Sequence, residues 1–292
     1  MIDIGTNNVL LLMAEVENGA FRVIKRLNRI SALAKGMQSG SLKDSGLQSV
    51  QRILTEYLAF ARSQSAQPII IGTSALREAE NSYILANWLQ QEYNFLLHLI
   101  SGEEEARFNG IANINEFEQK DILLFDIGGG STEFTLIIDG RVQECQSLEL
   151  GIRRLHNKFG DTAFQEIDYI TRKLNSVNIN KPPAAILTGI GGTVTSLAGM
   201  QQSMTIYDEK KIHKYQISQL MLNELITRIK HCPENVLPEL IPYNPVTKAL
   251  LLTGATIVRE IIARFNASDF FVSDRTWQYG VLAEIITGRY II

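Results

Sequence analysis

Two Asp-Ile-Gly turns, each feeding an apolar run, constrain this chain more than any other feature. One is Asp126-Ile127-Gly128-Gly129-Gly130-Ser131-Thr132-Glu133, set between the apolar runs 122–125 and 134–138. The other is Asp3-Ile4-Gly5-Thr6-Asn7, followed by the apolar run 9–13. Each reads as strand, glycine turn, strand. A second turn then sends the chain back, at Asn18-Gly19 and at Asp139-Gly140, pairs suited to tight hairpins. Asp3 and Asp126 are thus equivalent positions 123 residues apart. A repeat of that period is a duplication at domain scale, well beyond solenoid repeats.

The rest of the pattern alternates. Apolar residues fall at helical spacing over 47–62, and 68–71 reads as a buried strand. A helix is expected over 81–93, a strand over 95–100, and a helix from Ser101, where Glu104 three residues on completes a capping box. The second half repeats the alternation. Helices are expected over 162–177, 192–200, 217–230, 247–265 and 277–287, with strands at 184–187 and 270–272. Such alternation in two similar halves predicts an α/β architecture with a cleft between lobes. The expected domains are 1–117 and 118–292, with 114–119 as the hinge. The first strand starts almost at Met1, as a start recorded a few residues late would leave it.

Composition narrows the partners. The 292 residues carry a formal charge of −3 and are 45% hydrophobic, which fits ample core and argues against a globally basic, nucleic-acid-binding surface. An anionic ligand must then be held by local loops. Cys145 and Cys232 form no zinc spacing and no disulfide framework, so a reduced, cytoplasmic compartment is expected. No apolar run approaches eighteen residues, so no membrane partner is expected.

Three glycines let backbone N–H groups approach an anion closely, and the flanking carboxylates Asp126 and Glu133 suit a divalent cation. A plain hairpin turn needs only two residues, so Gly128, Gly129, Gly130 and Ser131 exceed what a turn requires. A third glycine turn, Thr188-Gly189-Ile190-Gly191-Gly192-Thr193, runs from strand into helix, where free N–H groups and the helix dipole favour anions. Close helix–strand packing explains it equally well. Glu103 and Glu104 are accounted for by the dipole and the cap; Glu105, about 100° from Glu104 on the helix, is either a third first-turn acid or, if it faces the cleft, a general base. Arg77, just past a strand end, is either a phosphate fork or a surface partner of Glu78 or Glu80. The basic runs 153–158 and 210–214 read more readily as solvated faces than as polyanion guides.

In order, Asp3 to Asn7, Ala75-Leu76-Arg77-Glu78-Ala79, Ser101 to Arg107, Asp126 to Glu133 and Gly189 to Thr193 resemble the exopolyphosphatase / guanosine pentaphosphate phosphatase family. That family lies in the actin–Hsp70–sugar-kinase superfamily, and the resemblance spans nearly the whole chain. It implies two ribonuclease-H-like, actin-like ATPase domains with an interdomain cleft, Mg²⁺ (alternatively Mn²⁺) as cofactor, and a homodimer. By position, Glu105 matches the catalytic base, and Asp126 the residue that binds metal or orients water, with Glu133 in the same motif and Asp3 as helper. Gly128 to Ser131 and Gly191 to Thr193 match phosphate loops, and Thr6, Asn7 and Arg77 match residues facing the phosphates. Asn8 and Leu10 depart from the family's Ser and polar positions. Thr276-Trp277-Gln278-Tyr279 replaces its arginine-containing turn before Gly280. Larger members add a helical C-terminal domain for which 292 residues leave no room.

The activity so implied is removal of the terminal phosphate of inorganic polyphosphate. The alternatives are guanosine pentaphosphate 5′-phosphohydrolysis, phosphate transfer by a kinase or ATPase of the superfamily, and a sensor that binds without turnover.

Overall fold

The computed structural model describes residues 1–37, 40–244 and 246–290. By contacts the chain divides into two compact units, Met1–Glu105 with Gln278–Ile292, and Ala106–Trp277. The elements of the first are β1 (Ile2–Ile4), β2 (Asn8–Glu17), β3 (Ala20–Ile30), α1 (Asp44–Ser63), β4 (Ile70–Gly72), α2 (Ser74–Glu78), α3 (Tyr83–Tyr93) and β5 (Leu97–Leu99). Helix α4 (Gly102–Asn113) starts in this unit and runs into the next. The second unit holds β6 (Ile122–Ile127), β7 (Thr132–Ile138), β8 (Arg141–Leu148), α5 (Ile152–Phe159), a 3₁₀ stretch (Gly160–Gln165) and α6 (Ile167–Leu174). It continues through β9 (Ile186–Ile190), α7 (Gly192–Gln201), α8 (Glu209–Ile212), β10 (Gln216–Ser218), α9 (Gln219–His231), α10 (Leu237–Leu240), α11 (Lys248–Arg264) and β11 (Asp269–Ser273). Helix α12 (Trp277–Ile286) closes the chain's regular structure.

Both units are built on one plan. The first sheet has the order β3-β2-β1-β4-β5, and the second has β8-β7-β6-β9-β11 with β10 added at the edge. In each, three antiparallel strands lead into two parallel ones, as the duplicated turns imply. The register repeats too: Asp3 pairs with Leu10 across β1–β2, and Asp126 with Glu133 across β6–β7. Even the irregularity recurs, at Met13/Ala14 in one hairpin and Leu136/Ile137 in the other. Both return turns take positive φ at two successive residues, Asn18-Gly19 and Asp139-Gly140, which is why Asn, Asp and Gly stand there.

Each sheet is covered by helices whose apolar face meets it. In the first unit Leu47, Val50, Ile53, Leu54, Tyr57 and Leu58 of α1 bury against Ile2, Ile4, Val9 and Leu11. At about 1.5–3 kcal/mol per buried aliphatic side chain, this stripe outweighs any intrinsic helix propensity. In the second unit the all-buried β6 meets Val194 and Leu197 of α7 and a run of α11 residues, with Phe125 tilted on Phe270.

The structure departs from expectation at one boundary and at two helices. The unit boundary falls inside α4, not at 117/118, and α12 returns to the first unit, where Tyr279 packs on Phe21 (6.1 Å) and under Arg26. In the segment 114–119, expected as the hinge, Phe117 is buried with Ile122, Leu124, Ile137 and Ile190, and Glu116 bonds His213. The helix expected over 162–177 is a 3₁₀ stretch followed by α6, with the break at Glu166. The helix expected from 217 starts only at Gln219, because 216–218 pair with β11.

Candidate active site

The most fully constructed part is the turn between β6 and β7. Gly128 N–H donates to the Ser131 carbonyl (2.9 Å), closing the turn. Behind it, the N-terminus of α5 supplies donors to the loop's carbonyls. Ile152 N–H donates to Gly128 O (3.1 Å), and the N–H groups of Arg153 and Arg154 both donate to Gly129 O (2.8 and 3.0 Å). The Arg154 side chain adds a bond from Nε to Gly130 O (2.7 Å). Helix α5 therefore satisfies its own first-turn N–H groups with carbonyls of the turn. Among the described residues, no acceptor takes the N–H groups of Gly129, Gly130 or Ser131. With the carbonyls of Gly128, Gly129 and Gly130 engaged by α5, these three N–H groups are open donors at the turn. Gly151 makes the clamp possible, since a Cβ there would lie 2.4–2.5 Å from backbone atoms of Gly129 and Gly130.

Asp126 ends the strand before this turn and is buried. Its Oδ2 accepts from Asn109 Nδ2 (2.9 Å), while Oδ1 lies where a Cβ on Gly191 would stand 2.8 Å away. So the structure brings the second loop, Gly191-Gly192-Thr193, against Asp126. Gly191 has φ +97°, a conformation that only glycine adopts easily, and it opens α7 with unfilled first-turn N–H groups beside Asp126. Burial pushes the Asp126 carboxyl up from 3.8 to about 6, with the Asn109 hydrogen bond pulling the other way. Glu133 sits opposite Asp126 in register and accepts from Ser147 Oγ (2.8 Å).

A desolvated carboxyl of raised pKa is what a neighbouring cation would return to the ionised form, and hard oxygen donors suit Mg²⁺. Yet among the described residues no group of three or more His, Cys, Asp or Glu is placed to hold a metal ion. A Mg²⁺ here would rest on Asp126 with Glu133 beside it, and water and phosphate oxygens would complete the shell, as Mg²⁺ commonly allows.

In the first unit, Asp3 and Thr6 are buried and Asn7 is half-buried in the turn between β1 and β2. That turn is closed by Gly5 N–H to Asn8 O (2.9 Å). Arg77 lies at the end of α2, half-buried, and its Nη1 donates to the Ile100 carbonyl (2.7 Å) in place of an ion pair with Glu78 or Glu80. That bond ties α2 to the start of α4. There the capping box forms reciprocally: Ser101 N–H to Glu104 Oε2 (2.8 Å) and Glu104 N–H to Ser101 Oγ (3.1 Å). Glu105, the next residue, is buried.

Several members of the two basic runs are engaged within the fold. Arg153 is buried, Arg154 serves the turn, His156 pairs with Asp161 and Lys158 stands over the Tyr169 ring. In the other run, His213 meets Glu116 and Lys214 lies over Phe117.

Sequence reading missed Asn109, Asn113, Gly151 and Arg154. The first two had a signal: amides four and eight residues after Glu105 share one helix face with it. Asn113 Nδ2 donates to Asn109 O (2.8 Å) and Arg275 O (2.9 Å), and its Oδ1 accepts from Ser273 Oγ (2.6 Å).

Residues 12–288 match the Ppx/GppA phosphatase family. The chain belongs to that family. It is 28% identical over 311 aligned positions to a bifunctional 3-dehydroquinate synthase/phosphatase of Fusobacterium nucleatum, covering 99% of this chain and 46% of that protein. It is thus similar to somewhat less than half of that relative. Exopolyphosphatase 2 of Mycobacterium tuberculosis is 26% identical over 282 positions, 89% of this chain and 88% of that one. A guanosine-5′-triphosphate,3′-diphosphate pyrophosphatase of Aliivibrio fischeri is 26% identical over 77% of this chain and 49% of its own length. Among solved structures, a Ppx/GppA family member from Aquifex aeolicus superposes with a TM-score of 0.80 (23% identity, 99% of this chain and 98% of that one). A Cytophaga hutchinsonii exopolyphosphatase reaches 0.84 (21% identity, 99% and 97%). The two-domain α/β fold of the Ppx/GppA proteins is therefore that of this chain. No helix among the described residues is long and apolar enough to cross a membrane.

Proposed function

We propose that this phosphatase-family chain is an exopolyphosphatase, hydrolysing the terminal phosphoanhydride of inorganic polyphosphate to release orthophosphate. The observation that carries the reading is the turn 128–131: α5 engages the carbonyls of Gly128, Gly129 and Gly130, and the N–H groups of Gly129, Gly130 and Ser131 take no acceptor among the described residues, in the turn that follows the buried Asp126. Such donors match the equatorial oxygens of a phosphoryl group in transfer, where charge stabilisation dominates catalysis. The N-terminus of α7 adds a second anion site.

In this reading, Gly129, Gly130, Ser131 and Gly192-Thr193 bind and orient the phosphate oxygens. By the resemblance, Thr6, Asn7 and Arg77 are further candidates for phosphate contact. Glu105 accepts the proton of a water whose oxygen bonds the terminal phosphorus. The bond from that phosphorus to the bridging oxygen breaks, and the shortened chain leaves as an anion that needs no dedicated acid. Bound Mg²⁺ would supply charge neutralisation for the last phosphates, with Asp126 as its protein ligand. General-base help of this kind contributes about 10²–10⁴-fold.

The similarity to an exopolyphosphatase along 89% of this chain supports the polyphosphate reading. Guanosine pentaphosphate stays the second reading, since the same loops would hold its 5′-phosphates. The deciding experiment offers both substrates together with Mg²⁺ or Mn²⁺ and follows phosphate release. Faster turnover of polyphosphate, reduced about 10²–10⁴-fold in Glu105→Gln, is expected. Tight binding of either compound without release would instead make the chain a sensor.

A further inference from the structure

We propose that Asn109 orients the attacking water, by accepting its second O–H through Oδ1 while Glu105 takes the first. This rests on the reading of Glu105 as the base and goes beyond it, because a base alone does not fix the direction of a nucleophile. A water attacking in line uses a lone pair on phosphorus and has two O–H bonds to place. One proton leaves to the base; without an acceptor for the other, the water is free to rotate.

Asn109 has the geometry for that acceptor. Its side chain is buried, 1% exposed, and its Nδ2 is committed to Asp126 Oδ2. This bond sets the orientation of the amide, because the carbonyl end would repel a carboxylate. The remaining atom, Oδ1, is shut off from solvent and has no hydrogen-bond partner among the described residues. Buried acceptors are rarely left so, and an orphan beside a reactive group commonly marks the place of a water or ligand. Asn109 is also four residues beyond Glu105 on α4. Side chains so spaced lie on one helix face, with Cβ atoms about 5–6 Å apart. A water making two bonds of about 2.8 Å bridges acceptors at that kind of separation.

The rest of α4 keeps the amide in place. Asn113, one turn on, donates to the Asn109 carbonyl and is itself held by Ser273 and Arg275. The amides are thus part of a rigid ladder, and the free oxygen is its one open end at Asp126. A purely architectural amide would have both of its ends used.

The test is a double-mutant cycle on the full chain, with polyphosphate and Mg²⁺, using Glu105→Gln and the near-isosteric Asn109→Leu. Asn109→Leu is expected to lower kcat roughly 10- to 100-fold with KM little changed. Combined with Glu105→Gln it is expected to cost almost nothing more, since both act on one water. Should the leucine variant fail to fold by circular dichroism, Asn109→Ser, which withdraws the amide oxygen, takes its place with the same expectations. Undiminished kcat in a folded Asn109 variant, or losses that multiply in the double variant, would overturn the role of Asn109 while leaving Glu105 as base. Undiminished kcat in Glu105→Gln would remove the base, and the shared water with it.

Discussion

The two strand–turn–strand units, Asp3–Asn8 and Asp126–Ser131, share their backbone and differ in what they present. Both close through the same bond, Gly5 N–H to Asn8 O and Gly128 N–H to Ser131 O, each 2.9 Å. Both are gripped from behind by the segment after the third strand. In the first unit Ala34 N–H takes Thr6 O, and Ser31 and Ala32 take Asn7 O; in the second Ile152, Arg153 and Arg154 play that part. The first turn, however, carries Thr6 and Asn7 and has Leu10 opposite its Asp. The second is bare glycine, has Glu133 opposite, and is gripped by a helix end. Duplication supplied one scaffold twice. In the proposed function the glycine copy binds phosphate through its backbone, while the other copy presents side chains.

If that is correct, equal substitutions in the two turns should have unequal effects. Asp126→Asn should lower phosphate release about 10²–10³-fold, and Asp3→Asn less than about tenfold, in a steady-state assay with polyphosphate. Equal losses would erase the asymmetry. Next come the grips. Gly151→Ala drives a Cβ into the backbone of Gly129 and Gly130, so it should cost about 1–3 kcal/mol in urea unfolding and about 10–100-fold in release. Its counterpart Gly46→Ala meets the Leu33 carbonyl at 2.5 Å; it should cost similar stability but far less activity. A comparable loss of stability, about 1–3 kcal/mol in the same urea unfolding, is expected from Gly191→Ala, where positive φ and the nearby Asp126 oxygen act together.

The smallest effect concerns an anchor present in the second unit, Glu116. The His213 hydrogen bond, helped by the charges of Arg275, His213 and Lys214 and opposed by burial, holds the Glu116 carboxyl below its usual 4.5. A depressed carboxyl stabilises the fold above its unfolded-state value, and that contribution is lost as pH falls through the lowered folded value. Glu116→Gln should therefore flatten the acid limb of the stability curve below about pH 4.5, with under about 1 kcal/mol lost at pH 7. Thermal melts of both proteins across that range measure it.

What could be read from sequence was local. The hairpin pairs Asn18-Gly19 and Asp139-Gly140, the Ser101–Glu104 capping box and the strands before both Asp residues follow from short-range chemistry, and all stand as expected. The three-residue β10 was hidden because its pairing partner, β11, lies some fifty residues on, while its own residues read as helix. The α5 grip was invisible for a related reason: its acceptors are backbone carbonyls, which leave no mark in residue identity. Arg154 looked like one charge in a basic run, and only the fold shows its Nε on Gly130. Asn109 was overlooked because an amide inside a helix is an ordinary surface residue until something buries it.

The return of α12 to the first unit bears on how the protein is made. A ribosome delivers the residues of that unit's sheet early, but Tyr279, which packs on Phe21, emerges only after the whole second unit has been translated. At roughly 5–20 residues per second, the first sheet waits many seconds for its last helix. During that interval the second unit, whose residues are continuous, is free to fold first. The portion synthesised earliest is then the one completed last.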